Sequence, residues 1–281
     1  MTNKQEKMIC NTFGISKLKP FQKKVITDLS DGKDVLGLAR TSEGKSICFL
    51  SMITLHPNGL LIGILPTVAL MHDLVQRCKD SKIRAGCLYS ENRENTNTIE
   101  QLTHRKLQAL FVAPERLSDP HLWKAIQKNS VHTVVVDEVH CLTEWGNEFR
   151  PMYRNIGKFI KDLPASPVIA AFSATVTPDD ISYIAKSLRM KNPVVHIGKL
   201  KRSNLSLKKA FVKNDAARYA KVRKAIQKCG SKGKIVIYCT RVCDVEDMRD
   251  FLIEDCDISA SEIALCHSRL SDRAEQEARF R

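Results

Sequence analysis

Short apolar runs recur along this 281-residue chain, and a helical pattern follows most of them. Two examples are 60–65, LLIGIL, and 109–113, ALFVA, in which no side chain is polar. Strands that alternate with helices form βαβ units, and strands without polar alternation are buried on both faces. The pattern therefore predicts an α/β protein whose parallel sheet lies between two layers of helices. The other predicted strands are 34–39, 85–89, 132–137, 168–172, 193–197, 234–239 and 262–266.

A basic stretch at 199–209, KLKRSNLSLKK, interrupts this alternation and divides the chain. It predicts a first lobe over residues 1–198 and a second over residues 199–281, with the basic stretch as a solvated connection between them. A nuclear-localisation signal is the alternative interpretation of the same residues. The second part is short for an α/β domain, so we expect one complete lobe and part of another.

The charge of the chain favours a polyanionic partner. Lys and Arg outnumber Asp and Glu by 45 to 31, which gives a formal net charge of +14. Such an excess is typical of nucleic-acid-binding proteins, although other basic proteins bind none. The longest apolar run, LLIGIL, is too short to cross a membrane, and the first residues lack the apolar core of a signal peptide. We therefore expect a soluble intracellular protein without a membrane partner.

Ten cysteines are spread from Cys10 to Cys266 without a C-x-x-C pair. The closest pair, Cys239 and Cys243, is not surrounded by a cluster of Cys and His. Zinc sites require such clusters, and intracellular proteins usually keep their thiols reduced. We therefore expect free thiols and no structural zinc.

The segment 38–49, LARTSEGKSICF, places a G-K-S tripeptide between a predicted strand and a predicted helix. A phosphate-binding loop has this order, because backbone N–H groups and the helix N-terminus then face the anion. Lys45 is placed to reach the β- and γ-phosphates of ATP, and Ser46 to offer its hydroxyl to Mg²⁺. Ala39 replaces the usual first glycine, and the acidic Glu43 lies inside the loop. The remaining nucleotide-binding candidates of the loop are Thr41, Ser42, Glu43 and Gly44.

Two adjacent carboxylates, Asp137 and Glu138, lie at the end of the predicted strand 132–137. At such a strand end Asp137 is a candidate Mg²⁺ ligand, and Glu138 is a candidate base that orients or deprotonates water. Adjacent acids alone usually belong to a solvated turn. Together with Lys45 and Ser46 upstream, they favour a nucleoside triphosphatase.

The order G-K-S, D-E-V-H and S-A-T resembles the superfamily 2 helicases, which carry these segments as motifs I, II and III. The resemblance implies a RecA-like P-loop fold that uses ATP and Mg²⁺. It adds His140, next to the acidic pair, to the catalytic candidates as a nucleotide sensor. Ser173 and Thr175 of the third motif become candidates for coupling the nucleotide site to movement.

The segment 140–153, HCLTEWGNEFRPMY, resembles the aromatic-rich loop of RecQ-type DNA helicases at eight positions with fixed spacing. This resemblance covers roughly residues 10–281. It implies ATP-driven movement along single-stranded DNA in the 3′-to-5′ direction and unwinding of a forked duplex. Trp145 and Phe149 would then stack on unpaired bases, and Arg150 would contact a phosphate or signal to the ATP site. Resemblance to eukaryotic members implies a nuclear location.

Three further segments are similar to RecQ elements. FGISKLKPFQ, 13–22, resembles the element that recognises adenine, so Gln22 would bind the base edge and Lys19 would pack near the ring. Thr67 and Arg116 lie in segments similar to motifs Ia and Ib, where they would contact the phosphates of a nucleic-acid strand.

Two departures from the RecQ pattern leave alternatives open. Val139 replaces an alanine, and D-E-V-H occurs in helicases that act on RNA, so an RNA helicase is one alternative. No segment resembles motif V or the Q-x-x-G-R-x-x-R of motif VI, which supplies an arginine finger. A truncated nucleic-acid-binding module with little turnover is therefore the second alternative. We expect the 281-residue chain to bind ATP and DNA weakly and to unwind poorly by itself. Its oligomeric state is not predicted.

Overall fold

The computed structural model describes residues 1–40, 43–90, 92–143, 151–199, 204–230, 233–267, 269–271 and 273–280. The chain separates into two units, Met1–Ser203 and Asn204–Arg281. The division falls inside the basic stretch that interrupts the strand–helix alternation. The assignment of the two units as a complete and a partial lobe stays a prediction.

A parallel sheet forms the centre of the first unit, and its described residues contribute seven strands in the order β3-β4-β2-β5-β6-β1-β7. Every neighbouring pair runs parallel. The seven strands predicted in this unit are confirmed, with each boundary within one residue. Their bounds are β1 Val35–Leu38, β2 Leu60–Ile64, β3 Ala85–Leu88, β4 Ala109–Val112, β5 Val131–Val136, β6 Val168–Ser173 and β7 Val194–Ile197.

Helices follow most of these strands and begin at identifiable capping residues. The Thr67 hydroxyl and the Asp119 carboxylate each accept a hydrogen bond from a backbone N–H of the first helical turn. No helix of the described residues is both long and apolar enough to cross a membrane. The helices of the first unit are α1 Asn3–Phe13, α2 Pro20–Ser30, α3 Lys45–Leu55, α4 Val68–Asp80, α5 Asn95–Thr103, α6 Pro120–Ile126, α7 Ile156–Asp162 and α8 Pro178–Ser187.

The strand side chains alternate between two apolar clusters, one on each face of the sheet. In β5, Val134 and Val136 join the cluster that helices α5 to α8 cover, whereas Val135 joins the cluster that α1 to α4 cover. All three are fully buried, and burial of such a side chain contributes about 1.5–3 kcal/mol. Burial on both faces is why these strands contain so few polar residues. The predicted α/β fold with a helix-covered parallel sheet is confirmed.

The second unit differs from its prediction. Its described residues form helices α9 Asp215–Cys229, α10 Val242–Glu254 and α11 Arg273–Phe280, and none of them forms a strand. The strands predicted at 234–239 and 262–266 are therefore wrong. A strand needs a neighbouring strand to pair with, and an apolar run alone does not supply one. Val236 and Tyr238 of the first run are 56% and 93% exposed.

Two histidines stack at the end of the sheet where the strands begin. The ring centroids of His56, just after α3, and His132, in β5, lie 3.5 Å apart. Burial lowers the pKa of His132 to about 4, with a further contribution from His56. Burial also lowers the pKa of His56. Because the folded protein holds these rings neutral, it binds fewer protons than the unfolded chain at pH values between about 4 and 6.5.

The free energy of unfolding is therefore expected to fall as the pH decreases from about 6.5 towards 4. The His132→Phe substitution keeps a ring against His56 and removes this titration. We expect it to reduce the acid-dependent loss by about 1–2 kcal/mol, a value discounted for solvent screening. Urea unfolding of both proteins between pH 7 and pH 4.5 measures the difference. If the free energy of unfolding depends on pH equally in the two proteins, His132 is not the group that causes the acid-dependent loss.

Candidate functional site

The strand order brings three distant segments of the chain to one edge of the sheet. Strand β6 lies beside β1 and strand β5 lies beside β6, although both are more than 90 residues away from β1 in sequence. In a parallel sheet all carboxyl ends share one edge, where ligands usually bind. The loop after β1, the acidic pair after β5 and the end of β6 therefore converge there.

The backbone conformation of the G-K-S tripeptide favours its glycine. Gly44 precedes α3 with φ +76°, a left-handed conformation that favours glycine. A Cβ at this position would lie 2.5 Å from the side-chain nitrogen of Gln22. The same nitrogen donates a hydrogen bond of 3.1 Å to the Gly44 carbonyl, and the Gln22 amide oxygen accepts one of 2.8 Å from the Lys19 backbone. The two predicted adenine-binding residues are thus placed beside the loop.

Cations neutralise the acidic residue inside the loop. Glu43 is 7% exposed, and its Oε1 lies 3.0 Å from Nη2 of Arg40. Its Oε2 lies 4.0 Å from Nζ of Lys19. Sequence reasoning missed Arg40, although its spacing of three residues from Glu43 is a signal that could have suggested the pair. The candidates Thr41 and Ser42 lie outside the described residues.

Lys45 lies between the two carboxylates of the D-E pair. Its Nζ is 3.9 Å from Glu138 Oε1 and 4.0 Å from Asp137 Oδ1. The residue is 6% exposed, and its Nζ has no hydrogen-bond partner among the residues that the structure describes. A buried ammonium without hydrogen bonds is costly. Phosphate oxygens would provide the missing acceptors, so the site fits a nucleotide.

The residues predicted to hold a metal ion also carry suitable oxygen atoms. Burial raises the pKa of the Asp137 carboxyl, the Glu138 carboxylate adds to this effect, and Lys45 opposes it. A divalent cation would favour the ionised carboxylate, and Mg²⁺ prefers oxygen ligands such as carboxylates and hydroxyls. The second candidate, Ser46, accepts a hydrogen bond of 2.5 Å from Arg77 Nη1. Sequence reasoning missed Arg77.

The backbone at the acidic pair is held in an uncommon conformation. Glu138 has φ +51° and ψ +49°, and a left-handed conformation costs a non-glycine residue about 1–2 kcal/mol. Its N–H donates to Asp137 Oδ1 at 3.0 Å. The fully buried Tyr153 donates from its hydroxyl to the Asp137 carbonyl at 3.4 Å. Val139, which departs from the RecQ pattern, is fully buried in the core.

His140 links the acidic pair to the end of β6. Its Nδ1 lies 3.2 Å from Glu138 Oε2 and 3.0 Å from Ser173 Oγ. The Ser173 hydroxyl also accepts a hydrogen bond from the Thr175 backbone at 3.2 Å. The structure therefore brings the catalytic and coupling candidates into one chain of contacts. Their roles in catalysis and coupling stay predictions.

The nucleic-acid candidates are only partly described. Thr67 is exposed at the N-terminus of α4, and Arg116 lies in the 3₁₀ turn Pro114–Arg116 after β4. The Arg116 guanidinium is paired with Asp119, so contact with a phosphate would compete with this carboxylate. The other three candidates, Trp145, Phe149 and Arg150, lie outside the described residues.

Comparison with known proteins agrees with this geometry. The sequence profile of the family described as DEAD/DEAH box helicase matches residues 19–184, more than half of the chain. The chain belongs to the DEAD/DEAH box helicases. The matched range of this helicase-family chain contains Lys45, the acidic pair and the end of β6.

Relatives of this DEAD/DEAH box protein include RecQ-type enzymes. It is 30% identical to a protein described as probable ATP-dependent DNA helicase RecS from Bacillus subtilis, over 84% of this chain and 47% of that protein. It is 32% identical to the ATP-dependent DNA helicase Q-like SIM of Arabidopsis thaliana, over 86% of this chain and 30% of that protein. The resemblance to RecQ-type helicases is thereby confirmed. The chain spans half or less of the length of these two relatives.

A solved structure supports the fold. A hypothetical ATP-dependent RNA helicase from Sulfolobus tokodaii matches with a TM-score of 0.55 and 20% identity. The match covers 70% of this chain and 57% of that one. At this identity the likeness concerns the fold alone, which is the RecA-like P-loop fold predicted from the sequence.

The Glu43→Gln substitution tests the role of the loop carboxylate. It removes one negative charge near the phosphate loop, together with the ion pairs that Glu43 makes with Arg40 and Lys19. We expect ATP to bind about threefold to tenfold more tightly, since like charges no longer repel. Titration with a fluorescent ATP analogue measures the change. Glu100→Gln, an equal charge change on α5, is the control, and an equal effect in both variants would contradict the assignment.

Proposed function

We propose that this chain is the ATP-dependent motor portion of a RecQ-type DNA helicase that moves 3′ to 5′ along single-stranded DNA and unwinds duplex. The observation that carries the proposal is the position of Lys45. Its buried ammonium lies within 4.0 Å of the two carboxylates that follow β5 and lacks a hydrogen-bond partner among the described residues. ATP supplies phosphate oxygens for this position.

Each residue of the site has a chemical task in the proposal. Lys45 binds the β- and γ-phosphates, and Ser46 and Asp137 would hold Mg²⁺, which would offset the charge of the phosphates. Glu138 orients the attacking water and accepts its proton. His140 contacts both Glu138 and Ser173, so a change at the phosphates reaches the end of β6.

The proposed partner is DNA, as single strands and forked duplex. The net charge of +14 favours a polyanion, and the exposed N-terminus of α4 at Thr67 offers backbone N–H groups to a phosphate. Stacking of bases on Trp145 and Phe149, with Arg150 beside them, stays a prediction from the RecQ resemblance. A nuclear location rests on that resemblance alone.

The RNA-helicase alternative depended on Val139. This side chain is fully buried in the apolar core, so packing is sufficient reason for a valine in place of alanine. No contact of the described residues then favours RNA over DNA. The binding-module alternative predicts little ATP hydrolysis, so a measurement of ATP turnover distinguishes it from the proposed function.

The decisive experiment measures steady-state ATP hydrolysis by the 281-residue chain alone, with single-stranded DNA and with single-stranded RNA of the same sequence. We expect hydrolysis that DNA stimulates more than RNA does. The Glu138→Gln variant should still bind ATP. Its rate of hydrolysis should fall at least about 100-fold, because the base is lost.

Two outcomes would overturn the proposal. Stimulation by RNA alone would favour the RNA-helicase alternative. The second outcome is a chain that binds nucleic acid and whose rate of ATP hydrolysis is the same with and without the Glu138→Gln substitution. This result would favour a binding module, because the measured hydrolysis would then not come from this site.

A further inference from the structure

Arg77 contacts the serine that the proposed function assigns to Mg²⁺. Its Nη1 donates to Ser46 Oγ at 2.5 Å, and the two residues are 31 positions apart in sequence. Arg77 lies in the last turn of α4, whereas Ser46 lies in the first turn of α3. The hydrogen bond therefore joins the helix that follows β2 to the start of the helix that follows the phosphate-binding loop.

Both helices contribute side chains to one apolar cluster. Leu74 and Cys78 of α4 and Ile47 of α3 are buried in the same apolar cluster. Arg77 precedes Cys78 directly and Ser46 precedes Ile47 directly, so both polar residues adjoin buried members of that cluster. The contact therefore joins two helices and involves no loop residue.

A guanidinium and a metal ion compete for this hydroxyl. The Arg77 guanidinium is a cationic group that only donates hydrogen bonds. Mg²⁺ binds its oxygen ligands at about 2.0–2.1 Å and requires near-ideal octahedral geometry. Two cations on one oxygen atom would repel each other strongly at this distance. Arg77 therefore has to leave Ser46 when the metal ion binds.

We infer that Arg77 is a positioning residue that occupies the Ser46 hydroxyl before the metal–nucleotide complex binds, and thereby weakens the dependence of nucleotide binding on Mg²⁺. This inference rests on the proposed function, because it assumes a nucleotide at Lys45 and a metal ion at Ser46. Without Mg²⁺ the arginine keeps its contact and adds positive charge near the phosphates. With Mg²⁺ present, Arg77 must be displaced from Ser46, and the cost of this displacement opposes binding of the metal–nucleotide complex.

The experiment compares the wild type with Arg77→Gln and uses ADP that carries a fluorescent N-methylanthraniloyl group. Its Kd is measured once with excess Mg²⁺ and once with EDTA. We expect Arg77→Gln to increase the ratio of the EDTA value to the Mg²⁺ value by about threefold to tenfold. Binding of Mn²⁺ in the presence of ADP, followed by electron paramagnetic resonance, should become tighter in parallel.

Lys79→Gln is the matched control. Lys79 is exposed on the same helix, two positions further along, which places it about 200° around the helix axis from Arg77. The Lys79→Gln substitution removes one positive charge, as Arg77→Gln does, and leaves the contact between Arg77 and Ser46 unchanged. Because Arg77 is itself exposed, its replacement is expected to leave the thermal unfolding midpoint unchanged.

The outcomes separate this inference from the proposed function. The inference is contradicted if Arg77→Gln leaves the ratio of the two Kd values unchanged, or if Lys79→Gln raises this ratio equally. In both cases nucleotide binding by the wild type still upholds the proposed function. Failure of the wild type to bind the nucleotide under both conditions overturns the two together.

Discussion

The candidate site depends on the pairing of β1 with β6 and of β6 with β5. Leu38 at the end of β1 lies opposite Ser173, and Val136 at the end of β5 lies opposite Ala171. This register places the phosphate loop, the acidic pair and the serine of the S-A-T segment at neighbouring strand ends. A fold that separated β1 from β5 by more strands would leave Lys45 out of reach of the carboxylates.

The same edge of the sheet holds conformations and charges that do not stabilise the fold. Glu138 is left-handed without being glycine, and the buried Lys45 ammonium lacks a hydrogen-bond partner among the described residues. Such features persist where the surrounding structure determines them strongly, and they concentrate at functional sites. Here the surrounding structure includes the fully buried Tyr153, which donates to the Asp137 carbonyl. Ligand binding then relieves part of the cost.

The apolar pattern predicted the first unit well because its strands are buried on both faces. The same pattern failed in the second unit, where 234–239 reads as a strand and its described residues pair with none. Periodicity reports what a segment prefers to bury, and pairing requires a neighbour that no local pattern shows. The site candidates Lys45 and Asp137 could be found from motif order. Arg77 could not, because its contact with Ser46 spans 31 positions and no local pattern shows it.

The central claim is that the Lys45 ammonium binds the phosphates of ATP, and calorimetric titration of Mg²⁺-ATP into Lys45→Met tests it most directly. Methionine nearly conserves the buried volume, so the fold is expected to persist and a melting curve verifies this. Loss of a charge-assisted contact predicts an affinity at least about tenfold weaker than that of the wild type. Equal affinities in the two proteins would contradict the account.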